Sequence, residues 1–462
     1  MNHQLPSARP AFARKRAILL TACSLLLLCP LISRAQQSGT SGSTVMLDSL
    51  VGGETLWDTT IEKFETEFAR ARLQWLTKTK DQARFFGNYG VWNGELKVTE
   101  AVIEFQNGKL FRTNLSLFNR GDSRTDIPTK AALDQLLESV KKSVTAHAGV
   151  QPVDLGKQGS SAVKALGYAW VTKPSIYLLE YSFQKDTKPG GQQFQPEFVR
   201  LRVYAAPKQL GFGTRSPTGT TNAPQVNKGS LTANLTKDAG GDVYIKNMPM
   251  VDQGPKGYCV VATAERVFRY YGMPVDQHEM AQVANTGAGG GTNPETMMKS
   301  LTALQGRLHV HVRSITKWDF TEFNKLLADY NREAKRNKQR EVSIAGQHVI
   351  DIGAIFGSMD PASLKDAKTV KTKAGYDKFQ RSVAEHIDKG VPLMWSVHLG
   401  LYPEPEIPQA RGGHMRLIIG YNAKTKEIIY SDSWGATHAM KRMPMDNAWA
   451  MTTGLYFMEP SL

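Results

Sequence analysis

The sequence predicts an α+β protein built as two units with a flexible connection between them. Three observations predict it. Apolar residues recur at helical spacing in some segments and alternate in others; residues 208–242 are dominated by Gly, Pro, Ser, Thr and Asn with no sustained apolar period; and 462 residues are enough for two or three domains. Hydrophobic residues make up 41% of the chain and charged residues 21%, the proportions of a globular fold rather than a disordered or fibrous one.

The first unit is expected over about 44–207. Trp57, Ile61, Phe64, Phe68 and Leu73 fall at helical spacing and predict a helix over 57–77. Leu133, Leu136, Leu137, Val140 and Val144 predict a second over 129–147. Strands are expected at 98–106, 109–118, 166–171, 175–183 and 197–205, and in the second of these Phe111, Thr113, Leu115 and Leu117 alternate with polar residues. Asn107-Gly108 joins the first two strands, and this pair supplies the positive φ angles of a tight hairpin. No cluster of Cys, His or paired acids marks a reaction centre here, so this unit reads as a binding, inhibitory or placement module.

The first 35 residues hold five basic residues and no acidic one, and an apolar run from Ala17 to Ile32 follows Arg14-Lys15-Arg16. The run is shorter than the ~20 residues that cross a bilayer and ends in Ser33-Arg34-Ala35, a small-x-small cleavage pattern. Residues 1–35 therefore read as a signal peptide cleaved before Gln36, with a secreted or periplasmic product and no stable membrane insertion afterwards. A lipobox-like Leu20-Thr21-Ala22-Cys23 offers lipidation at Cys23 as the rival, but only a short apolar stretch precedes that cysteine. The formal charge of +15 admits an anionic partner. Loss of the segment leaves 52 basic and 42 acidic residues, a net +10. The basic stretch 331–345 reads as a solvated helix end, because no aromatic series of the kind that stacks on bases is interleaved with it, and no nucleic-acid partner is expected.

Three cysteines, at 23, 29 and 259, form no C-x-x-C pair and no disulfide framework, and cleavage leaves only Cys259. It follows Val251-Asp252-Gln253-Gly254-Pro255-Lys256-Gly257-Tyr258 and opens a helical pattern (Val260, Ala264, Val267, Phe268, Tyr271) that Gly272 stops. At a helix N-terminus, unpaired N–H groups and the macrodipole favour thiolate over thiol. A catalytic thiol also needs a base and a group that orients the base. Gly413-His414 opens a strand that runs to Gly420-Tyr421, and Glu427-Ile428-Ile429-Tyr430 leads into Ser431-Asp432-Ser433-Trp434-Gly435. Two antiparallel strands joined by Asn422 to Lys426 would set His414 beside Asp432. Trp434 is expected to shield that pair from water. His398 is the rival base, without an acid at hairpin distance. His309 and His311 share a strand face but lack a third ligand, so no metal site is predicted. Gly287 to Thr292 lacks the Gly-Lys-Ser/Thr of a phosphate loop and reads as a cleft wall, with Thr292 or Asn293 capping the next helix. No cofactor is implied.

In the order Gln253, Cys259, His414, Asp432, in the Gly-His strand ending Gly-Tyr and in Asp-Ser-Trp-Gly, residues 245–458 resemble the papain-like cysteine peptidases. The resemblance is closer to the bacterial branch of double-glycine leader peptidases, which process bacteriocins. It implies a papain-like catalytic domain over 243–462 that acts on a peptide or protein through a thioester acyl-enzyme. Gln253 would be the oxyanion donor, Cys259 the nucleophile, His414 the base and acid, and Asp432 the orienter. Asp432 stands where papain has Asn. The exporters of that branch carry a transporter, and the present chain shows neither a transmembrane bundle nor a P-loop, so cytoplasmic leader processing is not expected. The same residues also admit a transglutaminase-like acyltransferase, or a peptide-binding scaffold without catalysis. The first unit could also serve as a pro-segment that covers the cleft.

Overall fold

The structure is a computed structural model that describes residues 44–461 apart from 72, 121–126, 128, 159–164, 185–193, 207–227, 255–256, 274, 276, 285–291, 317–319, 345–350 and 405–410. Residues 1–35 with Cys23 and Cys29, most of the segment 208–242, and the glycine-rich run 287–291 lie outside these residues.

Among the described residues, nine strands of the N-terminal half form one sheet: β1 (Val45–Met46), β2 (Leu73–Trp75), β3 (Gln82–Val91), β4 (Leu96–Gln106), β5 (Lys109–Asn119), β6 (Val153–Gln158), β7 (Ala165–Val171), β8 (Ser175–Gln184) and β9 (Gln195–Ala205). The order is β1-β3-β4-β5-β9-β8-β7-β6, with β2 also on β3. The β4–β5 hairpin turns at Asn107 and Gly108, whose φ angles of 53° and 75° are the left-handed pair expected of Asn-Gly. Two helices cover one face. In α1 (Ile61–Glu67) Phe64 is buried, and in α2 (Lys130–Ala148), capped by the Thr129 hydroxyl, Leu133, Leu137, Val140 and Val144 turn onto Trp170, Leu179, Val199 and Leu201. The helix expected over 57–77 is therefore cut to seven residues. Its C-terminal part is β2, where Leu73 and Trp75 pair with Phe85 and Ala83, because the open edge of β3 outcompetes helical spacing.

The other face of this sheet is also buried, and it is polar. Strand alternation puts Arg84, Glu100, Glu180, Ser182 and Arg200 there, each no more than 7% exposed. What covers them is the C-terminal half.

That half carries the second sheet: β10 (Leu235–Lys237), β11 (Asp242–Ile245), β12 (Val310–Thr316), β13 (Leu393–Leu399), β14 (Gly412–Asn422), β15 (Glu427–Ser431), β16 (Lys441–Pro444) and β17 (Thr452–Pro460). The order is β10-β11-β14-β13-β17-β12, with β15 and then β16 continuing from β14. Of the segment 208–242, residues 228–234 form a 3-10 turn and 235–237 are β10, paired to β11. Helix α3 (Cys259–Tyr270) packs against β14, with α4 (Gln277–Val283) and α5 (Pro294–Leu308) beside it. The helices α6 (Phe320–Arg336), α7 (Ile352–Ser358), α8 (Pro361–Asp366), α9 (Lys373–Asp388) and α10 (Met445–Met451) complete the layer. The Asn293 side chain caps α5 by accepting from the Thr296 N–H at 3.0 Å. The basic residues from 331 to 336 are the last turns of α6, where Lys335 and Arg336 meet the negative end of the helix.

Strand β14 approaches β11 closely. At Gly420 a Cβ would lie 2.5 Å from the Cβ of Tyr244 and 2.6 Å from the Val243 carbonyl, so glycine is required there by contact with the neighbouring strand. The same strand carries His414 at its other end.

Candidate active site

Cys259 is the first residue of α3, with Tyr258 as N-cap and no side-chain cap. The amphipathic pattern predicted one buried face, but Thr263, Glu265 and Arg266 are buried as well, so α3 is enclosed by sheet, helices and loops. Its first turn opens on a cavity lined by Cys259, His414, Val260, Phe356, Val397 and His398, among others. Among the described residues, the lining comes from 259–453 and none of it from the N-terminal sheet.

His414 and Asp432 meet as expected of a hairpin, with a refinement. Leu417 pairs with Ser431, so Asp432, just beyond the end of β15, continues the register opposite Arg416 and lies diagonal to His414. Its carboxylate reaches both: His414 Nε2 is 2.6 Å from Oδ1, and Arg416 Nε donates to Oδ2 at 2.6 Å. The Ser433 N–H also donates to Oδ1 at 2.8 Å. An ionised carboxylate only accepts, so Nε2 carries the proton and Nδ1 is the basic nitrogen of the ring. Cys259 is 4% exposed, His414 6% and Asp432 0%. Burial alone would raise the Asp432 carboxyl, but the charges of His414 and Arg416 and the hydrogen bonds from His414 and Ser433 outweigh it, holding the group well below the usual carboxylate range. Trp434 stacks on the His414 ring with centroids 4.5 Å apart and 17° between planes, which covers one face of the imidazole.

Gln253 is brought to the same place. Its backbone N–H donates to the Ser433 carbonyl at 2.9 Å, and its side-chain Oε1 accepts from the Ser433 hydroxyl at 2.7 Å. With Oε1 tied to Ser433, the donor end of the amide faces the opposite way.

Three further residues belong to the site. Arg266 donates to the carbonyls of Pro249 (2.8 Å) and Asp432 (3.0 Å) and to the Ser431 hydroxyl. Burial lowers its pKa to about 10 against the opposing charge of Asp432, so it remains a cation at neutral pH. Arg416 extends Nη1 to both oxygens of Glu404, at 3.1 and 2.8 Å, and Tyr430 donates to the same carboxylate. Two signals were present in the sequence. Arg266 is seven residues after Cys259, two turns along one helix face, and Arg416 is two after His414, on one strand face. Glu404 had none.

His398 lines the cavity but stacks on Phe356 at 5.3 Å, and burial, aided by the charge of Arg411 and opposed by Asp351, lowers its pKa to about 4. It is neutral at pH 7 for reasons unrelated to any carboxylate partner. His309 is a left-handed C-cap of α5 and only His311 lies in β12, with both exposed. No group of three or more His, Cys, Asp or Glu among the described residues can hold a metal ion, and none of the described helices is long and apolar enough to cross a membrane.

Residues 245–456 match the model of the Peptidase_C39 like family. These residues, under half of the chain, are similar to the papain-like cysteine peptidases. The N-terminal sheet lies outside the matched residues. No curated protein matches the chain. Among solved structures, xylellain, a cysteine protease from Xylella fastidiosa, aligns with 51% of this chain and 90% of its own at 12% identity and a TM-score of 0.24, a likeness too slight to bear on this chain.

Because Asp432 has a depressed pKa when folded, its contribution to stability is complete above the ordinary carboxylate value of ~4 and is lost as pH falls below it, where the unfolded chain binds a proton that the folded site refuses. Urea melts between pH 7 and 3 should therefore show a shallower acid limb in Asp432→Asn than in wild type, and equal slopes would refute the assignment. The two cavity histidines also separate. His414→Ala should abolish Cys259-dependent turnover, whereas His398→Gln should keep kcat and alter KM, and steady-state kinetics with the reverse pattern would make His398 the base.

Proposed function

We propose that residues 243–462 act as a cysteine peptidase on a peptide or protein substrate outside the cytoplasm. Cys259 passes its proton to His414 Nδ1 and attacks the scissile carbonyl carbon, forming a C–S bond. His414 returns the proton to the departing amine as the C–N bond breaks, then takes a proton from the water that hydrolyses the thioester. Asp432 holds the imidazole in one tautomer and stabilises its cationic form. The Gln253 amide and the Cys259 N–H receive the oxyanion, where losing one donor typically costs ~10²–10³ in rate.

The observation that carries this reading is the 2.6 Å hydrogen bond between His414 and a fully buried carboxylate, beside a cavity that His414 shares with Cys259. The match of residues 245–456 to the Peptidase_C39 like family supports it. Export rests on the basic, then apolar, composition of residues 1–35.

Purified protein should cleave members of a peptide library and lose at least ~10³ in kcat/KM in Cys259→Ala, with an unchanged melting curve. Full activity in that variant would end the proposal, and products that gain an added amine instead of water would move it to acyl transfer. The protein recovered from its own cell envelope should have an intact mass that begins at Gln36; a chain retaining residues 1–35, or one lipidated at Cys23, would overturn the cleavage site.

A further inference from the structure

The N-terminal sheet touches the reaction centre from behind, through the loop that carries Gln253. Arg84, on β3 and 168 residues earlier in the chain, donates from Nη1 to the Asp252 carbonyl at 2.9 Å and to Asp252 Oδ1 at 3.1 Å. Its Nε lies 2.7 Å from Glu100 Oε1 on β4, which fixes the guanidinium on the sheet. The carbonyl of Asp252 and the N–H of Gln253 are the two ends of one planar peptide group. That group is held at both ends, by Arg84 on its oxygen and by the Ser433 carbonyl on its N–H. The next residue, Gly254, packs against the same guanidinium. Asp252 Oδ1 accepts from the Gly254 N–H at 2.6 Å, Gly254 has φ +64°, and a Cβ there would sit 2.4 Å from Arg84 Nη2.

The sheet grips the other end of the loop as well. The hydroxyl of Tyr258, the residue before the nucleophile, donates to Asn119 Oδ1 of β5 at 2.5 Å. Contacts between Arg200 and Glu279 (3.0 Å) and between Ser182 and Gln282 (2.9 Å) seat α4 on the same face. The sheet thus reaches residues 252 and 258 while none of the described residues that line the cavity belongs to it, which is the placement of a buttress and not of a plug.

We propose that Arg84 is a positioning residue for the oxyanion donor, so that the N-terminal sheet completes the peptidase site by orienting the 252–253 peptide. This rests on the peptidase reading and on the role of Gln253 within it. A guanidinium can donate to the carbonyl and the carboxylate of Asp252 while pairing with Glu100; a lysine ammonium has neither the fork nor the planarity for all three.

The test is a double-mutant cycle in the full-length protein with one cleaved peptide as substrate. Arg84→Gln should lower kcat about ten- to hundredfold with KM within about twofold, and Arg84→Lys should recover part of the loss. In a Gln253→Ala background, already down ~10²–10³, Arg84→Gln should cost no more than about twofold, because the group it positions is gone. The rate of Cys259 alkylation by iodoacetamide should be the same in all the variants, which shows that the thiol and its helix remain formed. Equal losses from Arg84→Gln in both backgrounds, or a loss confined to KM, would overturn the proposal while leaving the peptidase reading intact. If wild type shows no Cys259-dependent cleavage, the peptidase reading fails and the positioning role fails with it. Should Arg84→Gln melt below the assay temperature, Arg84→Lys carries the same cycle, with a smaller loss that must likewise vanish in Gln253→Ala.

Discussion

A carboxylate with no exposure to solvent has to be surrounded by donors, and much of the C-terminal half is arranged around that requirement at Asp432. An unpaired ion in such a place costs several kcal/mol even after relaxation. One oxygen is met by His414 and a backbone N–H, the other by Arg416, and the residue's own carbonyl by Arg266. Each cation brings its own demand. Arg416 is itself fully buried and needs Glu404, which Tyr430 also satisfies, while Arg266 reaches back to Pro249 and Ser431. Charge compensation therefore links the middle of α3, strand β14, the end of β15 and the segment holding Glu404. The imidazole is one member of this network, so its orientation follows from the packing of four elements.

The loop carrying Gln253 is tied into the network through Ser433. That residue offers its N–H to Asp432, its hydroxyl to the Gln253 side chain and its carbonyl to the Gln253 N–H. A single residue thereby sets the distance between the Asp432 carboxylate and the Gln253 amide. Neighbouring Gly435, with φ +92°, brings the turn so close to Gln74 of β2 that a Cβ would lie 2.6 Å from its amide nitrogen. Both loops of the site thus have a neighbour in the N-terminal sheet.

Much of this was written locally in the chain. Gly-Pro followed by an apolar 3.6 period announced α3, Asn107-Gly108 announced its hairpin, and an apolar strand on either side of residues 422–426 was enough to pair His414 with Asp432. The residues that neutralise the site were harder to find, because their partners are distant in sequence. Arg266 and Arg416 lie at spacings that put them on the right faces, yet no local pattern distinguishes them from solvated arginines. Glu100 falls in an expected strand, Arg84 lies in β3, for which no strand was expected, and only tertiary contact shows that their polar face is covered. The helix expected over 57–77 went wrong for a similar reason. Leu73 was counted into the helical period, but with Trp75 two residues on it also fits strand alternation, and the vacant edge of β3 decides for the strand.

The clamp on the 252–253 peptide has a bearing on the order in which the molecule is made. The chain emerges N-terminal half first, and domains generally fold as units. The sheet bearing Arg84 and Glu100 can thus form before residue 252 joins it. The loop around Gln253 then closes onto a ready template, so its long-range contact forms against structure already in place and much of the chain-closure entropy that slows such pairings is avoided. A permuted chain with the C-terminal half leading would carry the same contacts but would have to find them in the opposite order.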